Sequence, residues 1–143
     1  MERTLQTHNL VMILARDFAS RLATPTALFD PEGAILYFNE AAESVLGQPY
    51  VEGERIPQAT LLATLRPVDD QGEPLSPDRR PLGIVLSARK PAHGAMHVTS
   101  RHGVDRSIEV TAFPLFARAD EFLGAIAIFW EQDGAGAASA GAG

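Results

Sequence analysis

Residues 27–47 constrain the fold more than any other stretch, because they encode a strand, a turn, a second strand and a capped helix in succession. Residues 27–29 and 35–38 are short apolar runs rich in aromatic and branched side chains, which is typical of buried strands. Residues 30–33, Asp-Pro-Glu-Gly, suit a type I turn in which proline presets φ. We therefore expect the two strands to pair as a hairpin.

The helix that follows is predicted by its own start and stop signals. Asn39 has a side chain that can cap the first turn, and Glu40 and Glu43 lie where the helix dipole favours negative charge. Gly47 can adopt the left-handed conformation that ends a helix. These signals predict one short helix between residues 40 and 46.

An earlier helix is predicted from about residue 4 to residue 23. Leu10, Leu14, Phe18 and Leu22 recur at every fourth position, and further apolar side chains fall off this stripe. A helix with more than one apolar face is usually buried on two sides. It either packs only on its own domain or also meets a partner subunit, and we favour the second interpretation.

The middle of the chain is divided by prolines and glycines into pieces too short for long elements. Residues 58–65 favour a short helix, and residues 81–89 favour another with proline in its first turn. Gly83 lies inside this second helix at a cost in helix propensity. Close packing against a neighbour or a ligand would account for that glycine.

From residue 94 the apolar pattern changes to a period of two, which predicts three strands within residues 94–101, 108–113 and 124–131. The first two strands are separated by a turn at His102-Gly103. Pro114 is expected to end ladder pairing or to lie at a bulge. The last strand is apolar on both faces and is expected to be covered on both sides.

The domain organisation predicted from these patterns is a flanking helix at 1–23, one domain at 24–132 and a flexible Gly/Ala/Ser tail at 133–143. The chain has 143 residues, a net charge of −6 and no cysteine. This charge disfavours direct binding to nucleic acid or anionic membranes. With no cysteine, no apolar run long enough to span a membrane and a poor secretory signal, we expect the protein in the cytoplasm.

Several motifs in this order resemble those of PAS domains, the sensor and interaction modules of signalling proteins. The resemblance rests on Asp30-x-x-Gly33, Asn39-Glu40-Ala41-Ala42, Gly47, Asp70-x-Gly72-x-Pro74-Leu75, Pro81-Leu82, Gly103, Ile108-x-Val110-Thr111-Ala112-x-Pro114-Leu115 and residues 124–129. It covers residues 26–131 and implies an α+β fold. In that fold a five-stranded antiparallel sheet carries short helices on one face and an N-terminal flanking helix.

The resemblance also implies that the inner sheet face, toward the short helices, holds either a small apolar ligand or a packed core. The strand residues placed on this face are Phe29, Met96, Val98, Ile108, Val110, Ala112, Ile126, Ile128 and Trp130, and Gly83 joins them as a ligand-pocket candidate. Because binding pockets usually add a few convergent polar groups, a packed core is the simpler interpretation of this set.

No cofactor is expected. Flavin-photoactive members of the family use a reactive cysteine, which this chain lacks, and haem-binding members often place a histidine on the helix at 81–89, which has none. His93 and His97 are expected on the outer face, roughly 13 Å apart along a strand, too far for one metal ion. The carboxylates of Asp69, Asp70 and Glu73 are close in sequence within one loop, and exposure of that loop to solvent is enough to explain them.

Two further groups of polar residues are candidates for chemistry. Ser44, Ser87 and Ser107 have no Gly-x-Ser-x-Gly context and no obvious His-Asp partners, so surface or capping roles are expected. The basic residues Arg79, Arg80, Arg89 and Lys90 flank one helix and could attract an anionic ligand or partner. More often such residues are the solvated ends of an amphipathic helix.

The function expected from the resemblance is a non-catalytic, bacterial stand-alone sensory or interaction module that forms a homodimer and acts on a separate signalling protein. The dimer-interface candidates are Leu10, Leu14 and Phe18 on the helix and Ala125, Ala127 and Phe129 on the outer sheet face.

Two alternatives remain. The first is a small enzyme or small-molecule carrier of the ketosteroid-isomerase type. The enzyme would need a general base in its pocket, such as Glu109 or His97 turned inward. The second is a purely structural dimer with a filled core.

Overall fold

The computed structural model describes residues 2–100, 103–118 and 120–132, with the backbone alone for residues 2–9. The predicted turn at His102 and the predicted tail at 133–143 lie outside these residues. The elements are α1 (Glu2–Ser20), β1 (Thr26–Phe29), β2 (Ile35–Phe38), α2 (Glu40–Leu46), α3 (Gln58–Leu65), a 3₁₀ turn (Pro77–Arg79), α4 (Pro81–Ala88), β3 (Ala92–Thr99), β4 (Asp105–Phe116) and β5 (Phe122–Glu131).

The β1–β2 hairpin forms as predicted. Its turn closes with a hydrogen bond from Gly33 N–H to the Asp30 carbonyl at 2.9 Å. The Asp30 carboxylate also accepts hydrogen bonds from the backbone N–H groups of Glu32 and Ala34. An aspartate at the first turn position therefore stabilises the turn through its own side chain.

Both predicted caps of α2 are confirmed. The Asn39 side-chain oxygen accepts a hydrogen bond from Ala42 N–H at 3.0 Å. Gly47 has φ 77° and donates its N–H to the Glu43 carbonyl, which ends the helix. Local chemistry alone sets the limits of this element.

The five strands form one antiparallel sheet in the order β2-β1-β5-β4-β3, which confirms the predicted fold class. Pro114 keeps a pairing partner in Ala125, and the irregularity falls later, between Leu115 and Phe116. The expectation that Pro114 ends pairing or marks the bulge is wrong. The pairing between β3 and β4 stops at Ala92 and Ala112. The missing N–H of Pro114 therefore lies where β4 has no partner strand on the β3 side.

The predicted assignment of β5 side chains to the inner and outer faces is also wrong. Ala127 pairs with Ala27 on one side and with Ala112 on the other, so Ala125, Ala127 and Phe129 lie on the inner face. Ile126, Ile128 and Trp130 lie on the outer face. Both sets are apolar, so alternation could not distinguish the two faces, and only the pairing register does.

The two faces of the sheet carry different layers. The short helices cover the inner face, and α1 packs against β1, β2 and β5 on the outer face. α1 turns Ala19, fully buried, toward the sheet, while the Leu10, Leu14 and Phe18 stripe points away and is exposed. Within the described residues, no helix is long and apolar enough to cross a membrane.

Candidate ligand cavity on the inner face of the sheet

A cavity of about 100 Å³ lies between the inner face of the sheet and helices α3 and α4. The predicted pocket residues that line it are Phe29, Gly83, Met96, Val98, Ile108 and Val110. Ala112 is fully buried in the core beside it, and Ala127 and Phe129, expected on the outer face, line it instead. Ile126, Ile128 and Trp130 do not line it, because they belong to the opposite face.

The walls of the cavity are almost entirely apolar. The helical side is contributed mainly by Val45, Leu46, Leu61, Leu62, Leu65 and Leu82. A dry cavity of about 150 Å³ lined by such residues can hold a benzene molecule, so the smaller space here suits a short hydrocarbon group rather than a full aromatic ring.

Two of the described residues that line the cavity are polar, and strand alternation does not identify either as a pocket residue because neither lies on a strand. Gln58 begins α3, and Arg80 is the residue that precedes the first turn of α4. Arg80 is half-buried, and its Nε atom is buried without a hydrogen-bond partner among the described residues. Burial lowers the pKa of the Arg80 guanidinium below its ordinary value.

The four basic residues around α4 have different surroundings. Arg79 is exposed and lies 3.6 Å from the Asp69 carboxylate. Arg89 places its guanidinium 4.7 Å from the centre of the Phe122 ring, and Lys90 is exposed. Arg79, Arg89 and Lys90 are therefore exposed residues at the ends of the helix, as expected. Arg80 is half-buried, so the expectation is wrong for that residue.

Gly83 has a packing reason for its place in α4. A Cβ atom added there would lie 2.0 Å from the Pro77 carbonyl oxygen of the preceding 3₁₀ turn. The turn and the helix can approach this closely only because residue 83 has no side chain. Gly83 therefore fixes the position of α4 over the cavity.

The outer face contains a hydrogen-bonded array that the sequence did not indicate. Ser107 Oγ lies 2.8 Å from His97 Nδ1, and His97 Nε2 lies 2.8 Å from an Asp70 carboxylate oxygen. The expectation that Ser107 lacks His-Asp partners is wrong, because the β3–β4 register places Ser107 opposite His97. The Asp70 side chain is 87% exposed, so water screens its interaction with the imidazole.

This array links the loop of residues 68–74 to the sheet. Val68 and His97 exchange two backbone hydrogen bonds, at 2.9 and 3.0 Å, directly beside the side-chain contacts. In the same strand, His93 bonds to Thr111 and to Glu109. As expected, His93 and His97 lie on the outer face, and each cross-links β3 to β4.

The described residues that line the cavity include no histidine and no carboxylate. Glu109 and His97 both point to the outer face, so neither provides the inward general base that the isomerase-type alternative needs. Among the described residues, no group of three or more potential metal ligands is close enough to hold an ion.

Two polar anchors hold α1 to the outer side of the domain. Asn39 is 1% exposed, and its amide nitrogen donates to the carbonyls of Ala19, Leu22 and Thr24 while its oxygen accepts from Thr26 N–H. One side chain therefore joins the end of α1, the start of β1 and the start of α2.

The second anchor is Arg16. Its guanidinium lies over the rings of Tyr37 and Tyr50, 4.7 and 5.4 Å from their centres, and donates to the Glu52 carboxylate at 2.9 Å. The hydrogen bond from Arg16 lowers the pKa of Glu52, and the same contact raises the pKa of Arg16. Burial raises the pKa of Tyr37.

The exposed side of α1 is apolar. Leu10, Ile13, Leu14 and Phe18 are 55%, 62%, 58% and 53% exposed. We refer to these four residues as the α1 stripe. A row of large apolar side chains in water is typical of an interaction surface.

Solved structures that resemble this chain over most of its length are PAS and LOV domains. The PAS domain of BvgS from Bordetella pertussis is 18% identical with a TM-score of 0.55, covering 84% of this chain and 83% of that one. The PAS domain of nitrogen regulation protein NR(II) from Vibrio parahaemolyticus is 21% identical with a TM-score of 0.56, covering 82% and 97%. The Rhodobacter sphaeroides LOV protein is 13% identical with a TM-score of 0.64, covering 99% and 74%.

No protein-family profile matches the sequence, and no curated protein matches it. Structural similarity at these identities defines the fold. The chain has the PAS fold, as the sequence motifs predict.

Proposed function

We propose that this protein is a non-catalytic sensory module of signal transduction, in which the occupant of the inner-face cavity controls self-association through α1. The observation that supports this most directly is that the same two strands line the cavity and carry α1. On β1, Phe29 faces the cavity and Leu28 the outer face. On β5, Ala127 faces the cavity and Ile126 faces the outer side.

This arrangement couples the faces mechanically. Leu28 and Ile126 are 3% and 2% exposed, so both side chains are covered on the outer face. A small movement of β1 or β5 on filling the cavity must therefore be passed to the layer on the other side.

The proposed output is a homodimer formed through the α1 stripe. Ala125, Ala127 and Phe129 have no part in it, because they lie inside the domain. The dimer would present its signal to a separate signalling protein. A cysteine-free chain suits a reducing compartment, and the proposal places the module in the cytoplasm.

Sedimentation velocity of the full chain tests the dimer. We expect a dimer at high micromolar concentration and a monomer for Phe18→Asp, because a carboxylate would be buried in an apolar interface. Ser20→Asp is the matched control, since it adds the same charge at an exposed position of α1 outside the stripe. A wild-type monomer at these concentrations, with Phe18→Asp behaving identically, would exclude the proposal.

A further inference from the structure

A groove lies directly outside the inner-face cavity, between the end of α2 and helix α3, and has a volume of about 290 Å³. Leu46 on α2 and Leu61 and Leu65 on α3 line both the cavity and the groove. These three side chains therefore form the wall that separates the two spaces. If they move apart, the cavity and the groove become one continuous space.

The wall is formed mainly by α3, which is the least buried of the helices that cover the sheet. α3 has no buried residue, whereas α2 has three and α4 has two. No side-chain hydrogen bond caps the start of α3 at Pro57. Elements with few buried apolar contacts open at the lowest cost in free energy. α3 is therefore the part of the cover that can move most easily to admit a ligand.

The side chains of α3 change from apolar to polar across this wall. Leu61 and Leu65 are four residues apart, so they form one row along the helix, and Thr60 and Thr64 form the neighbouring row. The leucines line the cavity and the groove, and the threonines line the groove alone. A chain molecule that lies between α2 and α3 therefore meets apolar walls at its inner end and polar groups at its outer end.

The polar groups of the groove suit an uncharged head group. Thr64 Oγ1 donates a hydrogen bond to the Thr60 carbonyl at 3.1 Å, so its lone pairs can still accept one from a ligand. Among the described residues that line the groove, Glu54 alone is charged, and it is exposed. Because its carboxylate repels an anion, the groove disfavours a negatively charged head group.

We propose that the cavity and the groove form one site for a short linear alcohol, with the size and chemistry of 1-hexanol. The cavity of about 100 Å³ holds about four carbon atoms, in proportion to the six of benzene in about 150 Å³. The rest of the chain passes the three leucines, and the hydroxyl group lies in the groove beside Thr60 and Thr64. This inference rests on the proposed function and specifies the ligand class of the same cavity.

Nuclear magnetic resonance of the full-length protein with 1-hexanol tests the orientation of the ligand without any mutation. We expect saturable shifts, with nuclear Overhauser contacts from the terminal methyl group to Val98 and Val110 and from the carbon that bears the hydroxyl group to Thr60 and Thr64. Hexanoate has the same chain with an anionic head. It should bind at least about fivefold more weakly, because repulsion between two charges about 4 Å apart in water costs about 1 kcal/mol.

Two variants locate the hydrocarbon end. Val110→Phe places a ring in the cavity and should abolish saturable binding of 1-hexanol. Val104→Phe is the matched control, because it makes the same substitution at a side chain that is 48% exposed and lines neither space, and it should bind as the wild type does. Thermal unfolding checks that both variants are folded.

The inference is overturned if 1-hexanol shows no saturable binding to the wild type, if its terminal methyl group contacts only surface residues, or if hexanoate binds equally well. Equal losses in the two folded variants would also overturn it. These outcomes are separable from failure of the proposed function, which is decided by sedimentation of Phe18→Asp and needs no ligand.

Discussion

The two faces of the sheet are built by different means. The inner face is covered by short helices through apolar packing that stops short of filling the space, leaving an almost entirely apolar cavity. The outer face holds α1 through Asn39 and Arg16, while the α1 stripe remains exposed. The comparison teaches that one face combines the apolar core with a cavity, and that the other face holds its helix by polar contacts while the apolar side of that helix stays exposed.

The largest effect should come from an inner-face truncation. Phe29→Ala removes a side chain that is 5% exposed and enlarges an existing cavity, which should lower the free energy of unfolding by about 3 kcal/mol. Trp130→Ala removes an outer-face side chain that is 37% exposed and should cost about 1 kcal/mol. Urea unfolding compares them, and equal losses would break the distinction between the faces.

Removing the Asn39 anchor should come next. Asn39→Ala deletes a helix cap and leaves buried carbonyls without a donor, so we expect a loss of about 2 kcal/mol. Ser44→Ala, an exposed substitution on the same helix, should stay within about 0.5 kcal/mol. Hydrogen exchange should accelerate in α1 for Asn39→Ala alone, and unchanged protection there would refute the role of Asn39 as its anchor.

A smaller change is expected at the second anchor. Arg16→Gln removes two contacts with aromatic rings and an exposed ion pair, together worth about 1 kcal/mol. The loss should appear as faster hydrogen exchange in α1, with the protection of β3 and β4 unchanged. A uniform loss of protection through the whole sheet would show that Arg16 supports the domain rather than the helix.

The smallest effect concerns pH. The pKa of Glu52 is lowered below 4.5 in the folded protein by the hydrogen bond from Arg16. The contribution of Glu52 to the free energy of unfolding is therefore fully present above about pH 5.5, and it is lost as the pH falls through the lowered pKa. Urea unfolding between pH 6 and pH 3 should show a shallower acid decline for Arg16→Gln, and identical declines would contradict the pairing.

Sequence predictions succeed where the signal acts over a few residues and fail where the outcome depends on distant parts of the chain. The hairpin and α2 were predicted closely because Asp30, Asn39 and Gly47 act within a few residues of their own positions. The face of β5 could not be predicted, because both faces are apolar and its parity depends on pairing with β1 and β4.

The candidate site shows the same limit. Phe29, Val98 and Val110 follow from strand alternation. Arg80 looks like Arg79 and Arg89 in the sequence, and only the packing of α4 over the sheet separates it from them. Its burial is a tertiary property with no local signature.

The central claim is that filling the cavity changes self-association through α1 on the opposite face of the sheet. Val110→Phe tests it without a ligand, because Val110 faces the cavity from β4 and the larger ring would fill that space permanently. Sedimentation equilibrium gives the self-association constant of the wild type and the variant. Coupling between sites is typically 5-fold or more, so we expect a change of at least about fivefold in that constant. An unchanged constant in a folded variant whose cavity is filled would contradict the account.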